Sequence, residues 1–270
     1  MVRTQQGDGM TAVSFAGKAV IVTGASSGIG RIVAVELARH GADLWLIGRA
    51  QAELEETARQ IAAAGGATAH IAAMDLQQRG PLARLIKEVG ASHPHLFALI
   101  SNAGVMHPEP ILDGTIDRWQ AMFDVNVMAL LEGCKAAVEV MRAQGKPGHL
   151  VNIGSVAARF EAPGVYGATK RMVEQIGATL RLELELDDIR VVTIVPGGFA
   201  TQLSRGMLPE TMARVVESAR SKGLKLGGSN PEKMISDPQH IANVVRYVLE
   251  QPIDLNIQEI VIRPPVSISF

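Results

Sequence analysis

Two side chains past the middle of the chain have types and spacing suited to acid–base chemistry. Tyr166 and Lys170 bracket the run Tyr-Gly-Ala-Thr-Lys. On a helix that four-residue spacing puts both on one face, a turn apart. A free phenol has a pKa of about 10 and is a poor acid or base at neutral pH. A neighbouring ammonium stabilises the phenolate and lowers that value. The tyrosine can then give a proton to a forming alkoxide, or take one from an alcohol. Ser155, at the end of Asn152-Ile153-Gly154-Ser155, adds a hydroxyl able to hold a reacting oxygen within reach of Tyr166. A Tyr-x-x-x-Lys pair is common on helices. It gains weight here because the chain has only two tyrosines and this one follows an apolar strand-like run.

A second group of residues is suited to holding phosphate. The run Ala19-Val20-Ile21-Val22 leads into Thr23-Gly24-Ala25-Ser26-Ser27-Gly28-Ile29-Gly30. Gly24 permits a tight turn, Gly28 a close approach of the backbone to a pyrophosphate, and Gly30 close packing of helix on strand. Ser26, Ser27 and Ile29 complete the loop, and the helix that opens there directs free N–H groups and a positive dipole end at the phosphates. A glycine-rich turn that binds nothing is the plain alternative. Placement at the first strand-to-helix turn favours a dinucleotide site.

The end of the second strand separates the two nicotinamide cofactors. An acidic residue there would hold a ribose 2′-hydroxyl, and a basic one would accept a 2′-phosphate. This strand ends Ile47-Gly48-Arg49-Ala50, and no acid follows until Glu53. Arg49 therefore points to NADP(H), with NAD(H) as the alternative and a solvated surface arginine as the plain reading. A bound oxidised nicotinamide would add its own positive charge beside Tyr166.

The elements that must position these groups follow one rhythm. Short β-branched strands, apolar on both faces, alternate with amphipathic helices along residues 17–265. This pattern means a parallel sheet covered on both sides. The expected fold is α/β, a doubly wound parallel sheet of seven strands in three layers, with ligands at the carboxyl edge. One unbroken helix is expected over residues 117–144, capped by Thr115 or Asp117, and another over 165–186. Residues 1–16 read as a flexible tail and 17–270 as a single domain, with an irregular, basic insertion at about 198–236 suited to a lid.

Together these motifs resemble the short-chain dehydrogenase/reductase family, in its compact single-domain branch, over residues 17–265. The glycine run at 23–30 is similar to the family's cofactor motif. The resemblance implies that Asp75 and Leu76 contact adenine. It implies that Asn102, Ala103 and Gly104 steady the central sheet and pass beneath the adenosine ribose. Pro196, Gly197 and Thr201 would hold the nicotinamide carboxamide. It further implies a catalytic tetrad of Asn126, Ser155, Tyr166 and Lys170. In it Asn126 holds a water in a proton relay, and Lys170 also binds the nicotinamide ribose. A homotetramer or homodimer built through the two long helices is implied as well. The chain departs from the family twice. Ser101 stands where an asparagine is usual, and Ser155 and Tyr166 are eleven positions apart, closer than is common.

The bulk properties agree with a small-molecule enzyme. A net charge of −1 gives no global field to draw in nucleic acid or an anionic membrane. The single cysteine, Cys134, excludes an internal disulfide; among small and apolar neighbours it reads as buried and unreactive. The seven histidines lack metal-ligand spacing, and no run has the length of a membrane span or a signal peptide. The expectation is a cytoplasmic oxidoreductase moving a hydride between nicotinamide and a carbonyl or alcohol carbon, without metal. The alternatives are an idle dinucleotide-binding sensor or scaffold, and a sugar-nucleotide epimerase, for which 270 residues leave little room for a substrate domain.

Overall fold

The computed structural model describes residues 14–66, 69–107, 109–160, 164–199 and 235–266, with Ala213, Glu217 and Arg220 between the last two stretches. Thr201 and most of the 198–236 insertion lie outside the described residues.

Seven strands form one sheet: β1 (Ala19–Thr23), β2 (Asp43–Gly48), β3 (Ala69–Ala73), β4 (Leu96–Ser101), β5 (Gly148–Ile153), β6 (Ile189–Pro196) and β7 (Glu259–Ile262). Their spatial order is β3-β2-β1-β4-β5-β6-β7, and every neighbouring pair is parallel. The order reverses between β1 and β4. The loops leaving these two strands therefore part in opposite directions and open a crevice at their carboxyl ends.

The helices are α1 (Gly28–Arg39), α2 (Gln51–Ala63), α3 (Pro81–Ser92), α4 (Ile116–Phe123), α5 (Ala129–Gln144), α6 (Gly164–Glu183) and α7 (Gln239–Leu249). Strand residues alternate between two cores. Val20, Val22, Val151 and Ile194 pack with Val33 and Leu37 of α1, Leu54 of α2 and Val245 of α7. Ile21, Leu99, Leu150 and Val191 pack with Ile86 of α3, Leu130 and Met141 of α5 and Val173 of α6. Each such aliphatic side chain, taken fully out of water, stabilises the fold by roughly 1.5–3 kcal/mol. Cys134 is buried on the second side, and burial pushes its thiol up to about 12, which keeps it unreactive.

One expectation fails. Residues 117–144 are not a single helix: a π-helical turn, Asp124–Met128, separates α4 from α5. Thr115 occupies the capping position of α4, but its side chain makes no capping bond. The π turn carries Asn126, whose side chain bonds two other segments of the chain. Those tertiary bonds hold a backbone geometry that regular helix bonding would not select. Among the described residues no helix is long and apolar enough to cross a membrane.

Candidate active site at the carboxyl edge of the sheet

A cleft of roughly 630 Å³ runs along the carboxyl ends of the strands, on the switch point between β1 and β4. That volume falls in the range of small-molecule and cofactor sites. Gly24, Ser26, Ser27, Gly28, Ile29 and Arg49 line it, together with Asp75, Leu76, Asn102, Ala103 and Gly104. Ser155, Tyr166, Lys170, Pro196 and Gly197 line it as well.

The glycine loop is built as a cradle. Gly24 and Gly28 have φ values of +68° and +54°, a region that side chains make costly. Gly30 does not line the cleft. It packs behind the loop, where a Cβ would strike the Gly24 carbonyl oxygen and lie 2.5 Å from the Asn102 amide nitrogen. Ser27 precedes α1 without a side-chain capping bond, and the first turn holds no acid. The leading N–H groups of α1 thus stay free for an anion. Thr23 and Asn102 fix the crevice walls to each other. The Thr23 hydroxyl accepts from the backbone N–H of Asn102 and of Ala103, each at 3.0 Å. The Asn102 side-chain amide donates to the Thr23 carbonyl at 3.0 Å. Arg31 braces the loop from behind, donating to the Ser26 carbonyl, to the Thr57 hydroxyl at 3.0 Å and to the Glu53 carboxylate at 2.6 Å.

Arg49 stands exposed on the rim, and among the described residues its guanidinium has no partner. Asp75 caps a turn, accepting from the Gln77 N–H at 3.1 Å, and lines the cleft as it does so.

Helix α6 brings Tyr166 and Lys170 together on one buried face, both 5% exposed. The Lys170 ammonium donates to the Ile153 carbonyl, the last of β5, at 2.8 Å. Burial lowers its pKa to about 8. Burial also pushes the Tyr166 phenol up to about 12, while a hydrogen bond from Ser155 pulls it back. The expected lowering by lysine is therefore not what dominates in the protein alone: desolvation of the phenolate outweighs it. Ser155 opens a 3₁₀ turn, Val156–Arg159, and its oxygen accepts from the Ala157 N–H at 3.2 Å. The short link to α6 leaves Ser155 and Tyr166 lining the same cleft.

Asn126 lies behind the cleft wall and is 2% exposed. Its amide clamps both backbone groups of Val105, accepting from N–H at 2.8 Å and donating to C=O at 3.0 Å. It also donates to the Thr169 hydroxyl at 3.0 Å, which in turn donates to the Tyr166 carbonyl at 2.7 Å. Through this chain Asn126 ties the loop after β4 to the helix carrying Tyr166.

Sequence reasoning missed the bracing by Arg31 and Thr169. Thr169 was legible, three residues after Tyr166 where a helical hydroxyl bonds back. The partners of Arg31 on α2 carry no sequence signal. Met106, His107, Ala121, Val125 and Phe199 also line the cleft unannounced.

The chain is similar to known proteins in sequence and fold. Residues 18–211 match the model of the short chain dehydrogenase family. An uncharacterized oxidoreductase of Listeria innocua is 34% identical, over 92% of this chain and 96% of its own. Among solved structures, a metagenomic short-chain oxidoreductase in complex with NADP aligns with a TM-score of 0.75 at 28% identity, covering 94% of this chain and all of its own. An alcohol dehydrogenase from the archaeon Thermococcus sibiricus, complexed with 5-hydroxy-NADP, aligns with a TM-score of 0.76 at 25% identity, covering 92% and 96%. The motif match, the strand order and the coverage agree, and the chain belongs to the short-chain dehydrogenase/reductase family of oxidoreductases.

Proposed function

We propose that the protein is an NADP(H)-dependent reductase or dehydrogenase acting on a carbonyl or secondary alcohol, with Tyr166 as its general acid and base. The observation that carries this reading is the meeting of Ser155, Tyr166 and Lys170 in the same cleft as the glycine cradle. The cofactor, when bound, supplies or accepts the hydride at its nicotinamide ring. Ser155 donates to the substrate oxygen and holds it beside the Tyr166 Oη. As the carbonyl carbon is reduced, Tyr166 gives its Oη proton to the forming alkoxide; in the oxidative direction it takes that proton back. A phenol pushed up to about 12 by burial stays protonated at neutral pH, the state from which it donates. Below about pH 8 Lys170 keeps its positive charge, which opposes the cost of a phenolate. The link between Ser155 and Tyr166, though short, leaves both side chains lining the same cleft as Lys170, and this favours turnover over the idle dinucleotide-binding reading.

NADP(H) is favoured by the ends of β2 and α2. Arg49 is unpartnered at the rim, ready for a 2′-phosphate, while Glu53 is occupied by Arg31 and is not free to hold a 2′-hydroxyl. Two of the similar structures carry NADP or a derivative.

The test is loss of NADPH absorbance over a panel of ketones, with NADH as the comparison cofactor. Tyr166→Phe is expected to cost about 10²–10⁴-fold in kcat while NADPH still binds. Wild-type turnover by Tyr166→Phe would remove the acid–base assignment, and a clear preference for NADH would remove the role given to Arg49.

A further inference from the structure

The geometry points to His107 as a residue that selects substrates carrying a second oxygen, a hydroxyl or carboxylate, near the reacting carbonyl. The inference rests on the ketoreductase reading of the site and adds the kind of carbonyl compound it takes.

His107 lines the cleft on the loop leaving β4 and is half-buried. Among the described residues its ring has no hydrogen-bonding partner, although both ring nitrogens can take part in one. The segment that carries it is held on both sides. Before it, both backbone groups of Val105 are clamped by Asn126. After it, the backbone N–H of Glu109 donates to the His107 carbonyl at 3.0 Å. Glu109 is itself buried, with its carboxylate 2.6 Å from Arg118. The Glu109 carbonyl also packs against Gly164, two residues before Tyr166, where a Cβ would come within 2.7 Å of it. The His107 loop therefore runs along the first turn of the helix that presents Tyr166. A side chain on so firmly held a segment loses little freedom when it binds.

The surroundings set the contrast. Val105, Met106, Ala121, Val125 and Phe199 contribute apolar lining to the same cleft. Ser155, Tyr166 and Lys170 are assigned to the reacting oxygen and the cofactor. His107 is left to meet any other polar group a substrate brings in. A substrate with an oxygen there gains a hydrogen bond. A purely aliphatic ketone displaces water from the imidazole without offering it a partner, and a polar group left unpaired on binding is costly.

The experiment compares sets of three ketones of equal chain length, one plain aliphatic, one with a hydroxyl beside the carbonyl and one a keto acid, each with NADPH. The readout is the ratio of kcat/KM for the oxygen-bearing ketones to that for the plain one. That ratio is independent of how much enzyme is folded. Wild type is expected to favour at least one oxygen-bearing class by about tenfold or more, roughly one hydrogen bond. His107→Leu should bring the ratio close to one, and His107→Gln, which keeps a donor and an acceptor, should retain part of it. A wild-type preference for plain ketones overturns the inference, as does a ratio that His107→Leu leaves unchanged. NADPH oxidation with none of the ketones overturns the ketoreductase reading itself, an outcome distinct from a lost preference.

Discussion

Two neighbouring groups at the site are held away from their ordinary ionisation by the same cause. Burial lowers Lys170 to about 8 and raises Tyr166 to about 12, so the site keeps a cation and a neutral phenol side by side at neutral pH. Holding the lysine charged in a buried site has a cost in stability. Its folded pKa lies below the unfolded value of 10.5, so the unfolded chain binds the proton more tightly. The penalty is absent above the unfolded value, grows as pH falls toward 8 and is full below that. Lys170→Met should therefore raise the thermal stability of the cofactor-free protein at pH 7, by an amount on the order of 1–2 kcal/mol after loss of the bond to Ile153. It should abolish turnover at the same time. Melting curves at pH 7 and pH 10 check this: the gain should shrink at the higher pH, and a variant less stable than wild type at both would contradict it.

At the scale of elements, the cleft depends on how closely α1 approaches the ends of β1 and β4. Gly30 is the contact that sets this distance, with the Gly24 carbonyl and the Asn102 amide directly beneath it. Gly30→Ala is expected to push α1 off the loop, break the Asn102 bonds to Thr23 and weaken NADPH binding by about tenfold or more, with a stability loss of roughly 1–3 kcal/mol from overpacking. Titration of NADPH fluorescence reads the first effect and chemical denaturation the second. Full cofactor affinity in this variant would mean the loop tolerates the extra methyl. Other elements also complete each other across the fold. The leading N–H groups of α3 lack a cap of their own, and Glu132 of α5 accepts from the N–H groups of Gly80 and Ala83 at 2.9 and 3.0 Å. Glu36 of α1, buried, pairs with Arg246 of α7 at 3.1 Å.

Across the whole molecule, the amino end of the sheet carries a second titratable feature, far in chemistry from the cleft. His149 of β5 is 4% exposed, edge-on to Phe97, and its Nδ1 has no partner among the described residues. Burial first, then the charges of Lys18, Arg190 and His95, lower its pKa from 6.5 to about 4. The folded protein thus holds His149 neutral where the unfolded chain would protonate it. Stability is unaffected above pH 6.5 and is lost as pH falls from there toward 4, by about 3 kcal/mol over the window. His149→Leu should flatten that part of the stability profile, measured by denaturant unfolding at pH 7 and pH 4.5. An equal acid loss in variant and wild type would assign it to other groups.

The sequence by itself determined the elements and the chemistry-bearing residues. Periodicity is a local property: strands apolar on both faces and helices with one apolar stripe announce a covered parallel sheet, and β2 ends at Gly48, where its pattern ended it. The spacing of Tyr166 and Lys170 and the glycines of the first turn are local in the same sense, readable because a helix and a tight turn impose fixed geometry on near neighbours. Only the tertiary structure decided the rest. It broke the helix expected over residues 117–144, because the Asn126 amide finds its partners on Val105 and Thr169, 21 and 43 residues away. It placed Asn126 behind the cleft wall as a brace. It turned the phenol's shift upward, since burial is a property of the packed molecule and of no single residue. It also brought His107, Met106 and Phe199 to the cleft, as the lining of a pocket is set by where distant loops meet.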